Sequence, residues 1–503
     1  MPETDRSVDL TEGPLLRPLL ALSLPLVGTQ LLQVAYNLVD TFVVGQLGGE
    51  AVAALTYSLP FIFVTISLGS GLTIAGTVLV SQHRGAGNDE RVRTVAGQTI
   101  AVTAAVSGLL SAVGFLVAPI LLPYVGTTPG SAIHAMAVDY TRIVFAGTAF
   151  MFGAFAFQAI LRGWGDTKTP MYLMLGSVLA NAVLDPFFVL GFDENVVFEM
   201  AGLTGLEATL YDLTGFAGMG VEGAAIATVI ARGGAAVAGF WLLFSGRLGI
   251  ALSFSDLRPD RETVRKILDV GGPAGLERSA DSLAYTGMTV LVAMVGTNAV
   301  AAYGVGNRIN TLVYLPAVGL AQGVETAVGQ NLGADQAGRA RRSVLLAAGL
   351  GGGLFLLASA GAYAFAAAIV ASFFDAARTD PEILSMGADY FRIIGPTYVF
   401  MGLFHLFNAA FRGAGSTRTA LAFSITSQWL FRIPPTLLFI TVFGIGAAGV
   451  WWGIAVSHLA AAAVVAAWFI FGNWDDSVVG EGDANDADEA GDADDRESPA
   501  SAD

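Results

Sequence analysis

Twelve apolar runs, each long enough to cross a bilayer, recur along this 503-residue chain; a spanning helix needs about 20 such residues. They fall at 16–45, 52–82, 93–118, 137–161, 170–191, 219–244, 263–295, 300–330, 342–372, 386–410, 419–442 and 447–472. The longer ones must tilt or kink. Composition agrees with the pattern. Only 13% of residues are charged, against roughly 25% in soluble domains, and the mean hydropathy is +0.64. Lipid must therefore cover much of the surface, and a soluble globular fold is excluded. The expected fold is an all-α membrane protein of twelve transmembrane helices. The chain has no cysteine, which excludes disulfides, thiolate metal sites and cysteine nucleophiles. Four scattered histidines (His83, His134, His405, His458) make no zinc cluster.

The net charge of −16 is concentrated at one end. Residues 475–503 hold twelve carboxylates against Arg496, and the remaining 29 acids and 24 basic residues leave −5 for the body. Residues 473–503 thus read as an acidic, disordered, self-repelling tail. Two lysines against 23 arginines, with many acids, point to a high-salt cytoplasm, as in a halophile. The N-terminal 1–15 lack a basic stretch and a cleavage site, so no removable signal is read there. Cations cluster in alternate connections, in 83–92, 162–169, 245–262, 331–341 and 411–418, whereas the intervening ones hold little beyond Arg378. The positive-inside rule then puts both termini in the cytoplasm of a multi-pass plasma-membrane protein.

The chain also repeats itself. Pro25 pairs with Pro273, Gln82 with Gln330, Gly85-Ala86 with Gly333-Ala334, and Arg91 with Arg339, each at an offset of 248. Arg162-Gly-Trp-Gly-Asp-Thr-Lys-Thr169 matches Arg412-Gly-Ala-Gly-Ser-Thr-Arg-Thr419 at an offset of 250. Two parallel six-helix halves follow, related by an axis along the membrane normal. The expected organisation is an N-terminal cytoplasmic segment 1–15, an N-lobe 16–244, a cytoplasmic linker 245–262, a C-lobe 263–472 and the tail. Function is expected in the cleft between the halves.

No Gly-Lys-Ser/Thr sequence exists to hold nucleotide phosphates, since Lys168 follows threonine and Lys266 follows arginine. Attention falls on ionisable residues inside the spans, each costing at least ~2.5 kcal/mol at the bilayer centre. In the N-half these are Asp40 and Asp185, both near the outer ends of their helices. Tyr36 and Asp40 are i,i+4, as are Asn181 and Asp185, so each pair shares a helix face. Thr228 enters at the same depth. Two carboxylates, an amide oxygen and a hydroxyl make a cage for sodium, or for a proton if one carboxylate is desolvated. The competing reading is a pair of buried structural acids capped by Asn181 and Thr228. Arg232 falls towards a helix end, where snorkelling is cheap. The C-half has Met288 and Pro435 at the equivalent positions and instead carries Glu277, Asp281 and Glu325. Glu277 and Asp281 share a face and either bind a cation or pair internally with Arg278, Arg308 or Arg432. Gln158 and Met174 are further candidates for a cavity wall.

The repeated halves, the Pro25…Asp40-Thr-x-x-Val-Gly45 helix, Gln82-x-x-Gly85-Ala86, Gln330-Asn-Leu-Gly-Ala334 and the two Arg-Gly-x-Gly loops together resemble the multidrug and toxic compound extrusion (MATE) transporters. The resemblance covers about residues 15–472. Asp40, Asn181, Asp185 and Thr228 are similar to the cation site of the damage-inducible-protein-F-like branch. The resemblance implies that Tyr36 and Tyr140 contribute to the cavity and that the first helix bends at Pro25. Asp281 falls where another branch has an acid on its seventh helix. It further implies two bundles around a V-shaped cleft, and antiport of small organic cations or amphipathic drugs against H+ or Na+ by alternating access. No cofactor, no catalytic residue and no nucleic-acid partner is expected, and action as a monomer is. A flippase for lipid-linked oligosaccharides, from the same superfamily, is the alternative. Its usual two extra helices and strongly cationic cavity are not read here.

Overall fold

The computed structural model describes residues 7–193, 195–374 and 379–479, and all regular structure among them is helical. The first half comprises α1 (Leu16–Gly45), α2 (Gly49–Gly85), α3 (Asp89–Leu121), α4 (Ala132–Ala146), α5 (Thr148–Trp164), α6 (Lys168–Leu190), the short α7 (Val196–Met200) and α8 (Thr204–Thr214), and α9 (Val221–Phe244). The second comprises α10 (Arg261–Val295), α11 (Thr297–Gly333), α12 (Ala337–Ala364), α13 (Ala366–Ala371), α14 (Pro381–Ile394), α15 (Tyr398–Gly413), α16 (Thr417–Ile425), α17 (Ile433–Thr441) and α18 (Gly446–Phe471). Helix starts follow the local chemistry. Asn88, Ser131 and Asp260 each accept a hydrogen bond from the backbone N–H three residues on, at 3.0–3.1 Å.

Among the described residues nine helical segments are long and apolar enough to span a membrane, and the α4–α5 pair, bent by 44°, makes a tenth. The other two expected spans are α10, which is interrupted by Glu277, Arg278 and Asp281, and α16–α17, which is broken by a π-helical turn at Thr426–Leu430. Leu109, Leu116, Leu276 and Leu357 stand on the outside more than half exposed, as lipid-facing residues do. The connection 192–218 is not a plain loop. It folds as α7 and α8, and Asn195 donates to the carbonyls of Pro186 and Gly191 (2.9 and 2.8 Å), tying it to the end of α6.

The two halves exchange their first helices. Leu19 and Leu22 of α1 are buried in the core of the second half, among Val324, Val328 and Phe411. Ile267, Val270 and Ala274 of α10 are buried in the core of the first half, among Val78, Ile160 and Leu161. Leu19 and Ile267, like Leu22 and Val270, are 248 residues apart. Further along, Tyr36 of α1 packs on Met174 and Val178 of α6, and Glu277 of α10 bonds to Asn408 and Ser424. Each helix therefore changes lobe part-way along, close to Pro25 in one and Pro273 in the other. A division at 245–262 does not separate the halves cleanly. That linker itself is held down by Gln98, which donates to the carbonyls of Asp256 and Arg258 and accepts from the Asp260 N–H.

The first and last described segments lie at one end of the molecule, where the lobes meet tightly. At Gly85 a Cβ would collide with the Gln330 carbonyl, and at Gly333 with that of Gln82, so only glycine permits this approach. Gln330 donates to Gly163 O (3.3 Å) and Gln82 to Gly413 O (3.1 Å), again a symmetric pair. The other end of each glutamine amide holds a terminal segment. Gln330 Oε1 accepts from the Leu10 N–H (3.3 Å), and Gln82 Oε1 from the N–H groups of Val478 (2.9 Å) and Val479 (3.3 Å). Arg339 holds the carbonyls of Leu10 and Glu12, while Arg341 holds the Asp475 carboxylate at 2.7 and 3.1 Å. Trp474 is 1% exposed, stacked on Phe469. The expectation of a solvated tail from 473 is thus corrected as far as Val479, because the tail's first residues supply an aromatic anchor and backbone donors. Residues 480–503 lie outside the described residues.

Candidate functional site

The two acids singled out in the first half come together. Asp185, on α6, is fully buried, as is Asn181 one turn before it, whose Nδ2 donates to Asp185 Oδ1 at 2.9 Å. Asp40, on α1, lies within electrostatic reach of Asp185, with Tyr36 one turn before it and Tyr140 of α4 behind. Thr228, on α9, is half-buried and adjoins the Tyr36 side chain. Buried oxygens without a hydrogen-bond partner gather here: Asp40 Oδ1, Asp185 Oδ2 and Asn181 Oδ1. Such groups are costly to bury unless something satisfies them, and a bare cation or a proton would do so. Among the described residues no cluster of three or more His, Asp or Glu is arranged for a metal ion.

The sequence did not reveal the position of Arg232. Far from snorkelling at a helix end, it is half-buried on α9, with its guanidinium 4.8 Å from the Tyr36 ring centre and its Nη2 donating to Gln33 (3.3 Å). It therefore faces the acids from the side of the central cavity. Eleven residues into α9, it lies too deep for a helix-end assignment.

Between the lobes lies a cavity of about 890 Å³. Gln158 and Met174 line it as expected, as do Asp281 and Glu325. Glu277 does not. Its Oε1 instead accepts from Arg412 Nη1, Asn408 Nδ2 and Ser424 Oγ, all at 2.9 Å, and Arg412 Nε donates to Glu325 Oε1 at 2.6 Å. Glu277 and Glu325 are thus ion-paired, and their partner is Arg412 rather than Arg278, Arg308 or Arg432. Arg412 and its repeat mate Arg162 fall in cation-rich connections of the sequence, yet they are 3% and 7% exposed. Both sit in the last turn of a helix that ends inside the lobe contact, a placement that residue counting along the chain cannot detect.

Comparison with known proteins gives a consistent result. A family model described as MatE matches residues 25–187 and 273–438, one stretch in each half. The chain is 29% identical to the probable multidrug resistance protein YoeA of Bacillus subtilis, covering 89% of this chain and 92% of that one. It is 25% identical to the probable multidrug resistance protein NorM of Thermotoga maritima, covering 92% and 94%. Among solved structures it resembles the outward-facing conformation of a multidrug resistance MATE family transporter, with TM-score 0.81 and 24% identity, covering 92% of this chain and 97% of that one.

Proposed function

The chain belongs to the MatE family of transporters, and on that premise we propose that it is a secondary antiporter exporting cationic and amphipathic organic compounds in exchange for H+ or Na+. Membership makes it a multi-pass membrane transporter and not an enzyme. The observation that carries the coupling is the set of unsatisfied oxygens on Asp40, Asp185 and Asn181, buried together in one half, where the repeat keeps no acid. Loading this cage with a cation or proton removes the cost of burying its charge, and that favours whichever arrangement of α1 and α6 closes it. Arg232 adds a charge that a cation must displace or share.

With the arginine-rich connections on the cytoplasmic side, the terminal end is the cytoplasmic one. The tight contact there corresponds to the outward-facing arrangement. Both termini are then cytoplasmic in a plasma-membrane protein, and one chain suffices for transport.

The test is export of rhodamine 6G from proteoliposomes under a sodium gradient at fixed pH, then under a pH gradient at fixed sodium. Asp40→Asn and Asp185→Asn keep shape and one acceptor but not the charge. We expect both to fold and to lose gradient-driven export. Wild-type export by both variants would move coupling to Asp281 and Glu325.

A further inference from the structure

Five charged residues line the central cavity: Arg162, Arg232, Arg278, Asp281 and Glu325. Two are already engaged, since Glu325 is bound by Arg412 at 2.6 Å and Arg232 stands over Tyr36 beside the N-half acids. Arg278 has Glu277, Asp281 and Glu325 within electrostatic reach, but Arg412 and Arg432 share those three carboxylates, so with Arg162 four arginines face three acids. Neither Arg162 nor Arg278 has an ion pair within 4 Å among the described residues. Arg162 is 7% exposed, and its Nε finds no acceptor. The two arginines lie within electrostatic reach of each other. A small recess of about 10 Å³ shares Arg278, Tyr314 and Gln322 with the cavity and is closed by His405 and Arg412.

A guanidinium buried without its own counter-charge costs several kcal/mol, and the buried Arg162 is also repelled by the half-buried Arg278. The carboxylate near Arg162, that of Glu325, is held by Arg412, so the surplus positive charge falls on Arg162. The cavity walls above are apolar, with Leu26, Phe63, Ile66, Phe155 and Leu315. The missing counter-charge therefore has to arrive with the ligand. Its body must suit apolar and aromatic walls, and its charged end must suit planar, bidentate donors.

We propose that Arg162 and Arg278 form an anion subsite at the floor of the cavity, which takes the carboxylate, sulfonate or phosphate end of an amphipathic organic compound. The inference rests on the export reading above and widens its substrate class from cations to zwitterions and organic anions. A ligand with both charges spans the cavity, with its cationic end toward Asp281 or the N-half acids and its anionic end on the arginines.

The experiment titrates the purified full-length protein in neutral detergent with two xanthene dyes of similar body, anionic carboxyfluorescein and cationic rhodamine 6G, read by fluorescence anisotropy. Wild type should bind carboxyfluorescein. Arg278→Gln should weaken it by about tenfold or more, the usual effect of losing a charged hydrogen bond, while rhodamine 6G binds as well or better. Arg162→Gln should do the same and Arg162→Lys should retain part of the affinity. Since Arg162 is in the lobe contact, the half-buried Arg278 keeps the test decisive if Arg162→Gln fails to fold. No carboxyfluorescein binding to wild type, or equal binding to Arg278→Gln, overturns the subsite. Displacement of the dye by micromolar phosphatidylglycerol assigns the site to a lipid headgroup and overturns it as a substrate site. Gradient-driven export of rhodamine 6G in the same preparation separates the two readings. Intact export with failed anion binding removes only the subsite, whereas export of neither dye removes the antiporter.

Discussion

At the scale of single residues, burial decides which charges do structural work. Arg412 gives one hydrogen bond to Glu277 and one to Glu325, and all three side chains are under 5% exposed. Removing the arginine would leave two buried carboxylates unpaired, the situation that costs about 3–5 kcal/mol when one partner of a buried pair is lost. Arg412→Gln should therefore lower the thermal midpoint in detergent strongly. The triple replacement Glu277→Gln, Glu325→Gln, Arg412→Gln should recover much of that loss. If the single and triple variants melt together, the cluster carries no such coupling. Asp40 and Asp185 differ in kind: their free oxygens have no cationic partner within 4 Å among the described residues. The sequence made this pair legible, since acids inside apolar runs with i,i+4 partners are rare. It left the roles of Arg162, Arg232 and Arg412 illegible, because a helix-end or loop position along the chain says nothing about what packs over it.

Elements show what the repeat is for. The motif pairs with the longest matching stretch, Gln82/Gln330 and the two Arg-Gly-x-Gly loops, are the residues that meet across the lobe contact. The exchange of α1 and α10 was not legible, because an apolar helix face carries no label for the lobe it enters. Pro25 and Pro273 sit where these helices change lobe. Proline in a helix interior removes a backbone bond and clashes with the preceding turn, at up to ~3 kcal/mol, so evolution could remove it at a gain in stability. Pro25→Ala and Pro273→Ala should accordingly raise the thermal midpoint, or leave it unchanged, while slowing export. Faster or unchanged export with a lower midpoint would remove the hinge. The terminal segments make a second prediction. Truncation after Val479 removes the acidic residues 480–503 and should leave stability and export as they are. Truncation after Asn473 also removes Trp474 and should cost about 3 kcal/mol, the scale for losing a buried aromatic side chain. Arg341 holds the Asp475 carboxyl below the usual carboxylate range, mainly through their charged hydrogen bonds. That contribution is present at neutral pH and is lost only as pH falls through the depressed value, below about 3.9. Asp475→Asn should then separate from wild type in melting experiments at pH 7 and converge with it in strong acid.

For the whole molecule, the question is whether the lobe contact at the terminal end must open during turnover. The chain has no cysteine of its own, so any introduced pair reports without a background. Ser81 on α2 and Gly329 on α11 face each other across the contact, and a Cβ built on Gly329 lies 2.9 Å from the Ser81 Cβ. Disulfides span Cβ atoms about 3.5–4.5 Å apart, so a Ser81→Cys, Gly329→Cys pair should oxidise once the two helices part slightly. The crosslink fixes α2 to α11 at the end where Gly85 and Gly333 already admit no side chain, leaving the cavity on the other side untouched. Dye binding to the cavity should then persist in the oxidised protein. Export should stop, because a substrate entering from the terminal end has no path past the closed contact, and reduction should restore it. Loss of binding together with export would mean that the crosslink distorts the site. Export at the wild-type rate with the disulfide fully formed would show that the contact never opens, and alternating access about this seam would be wrong.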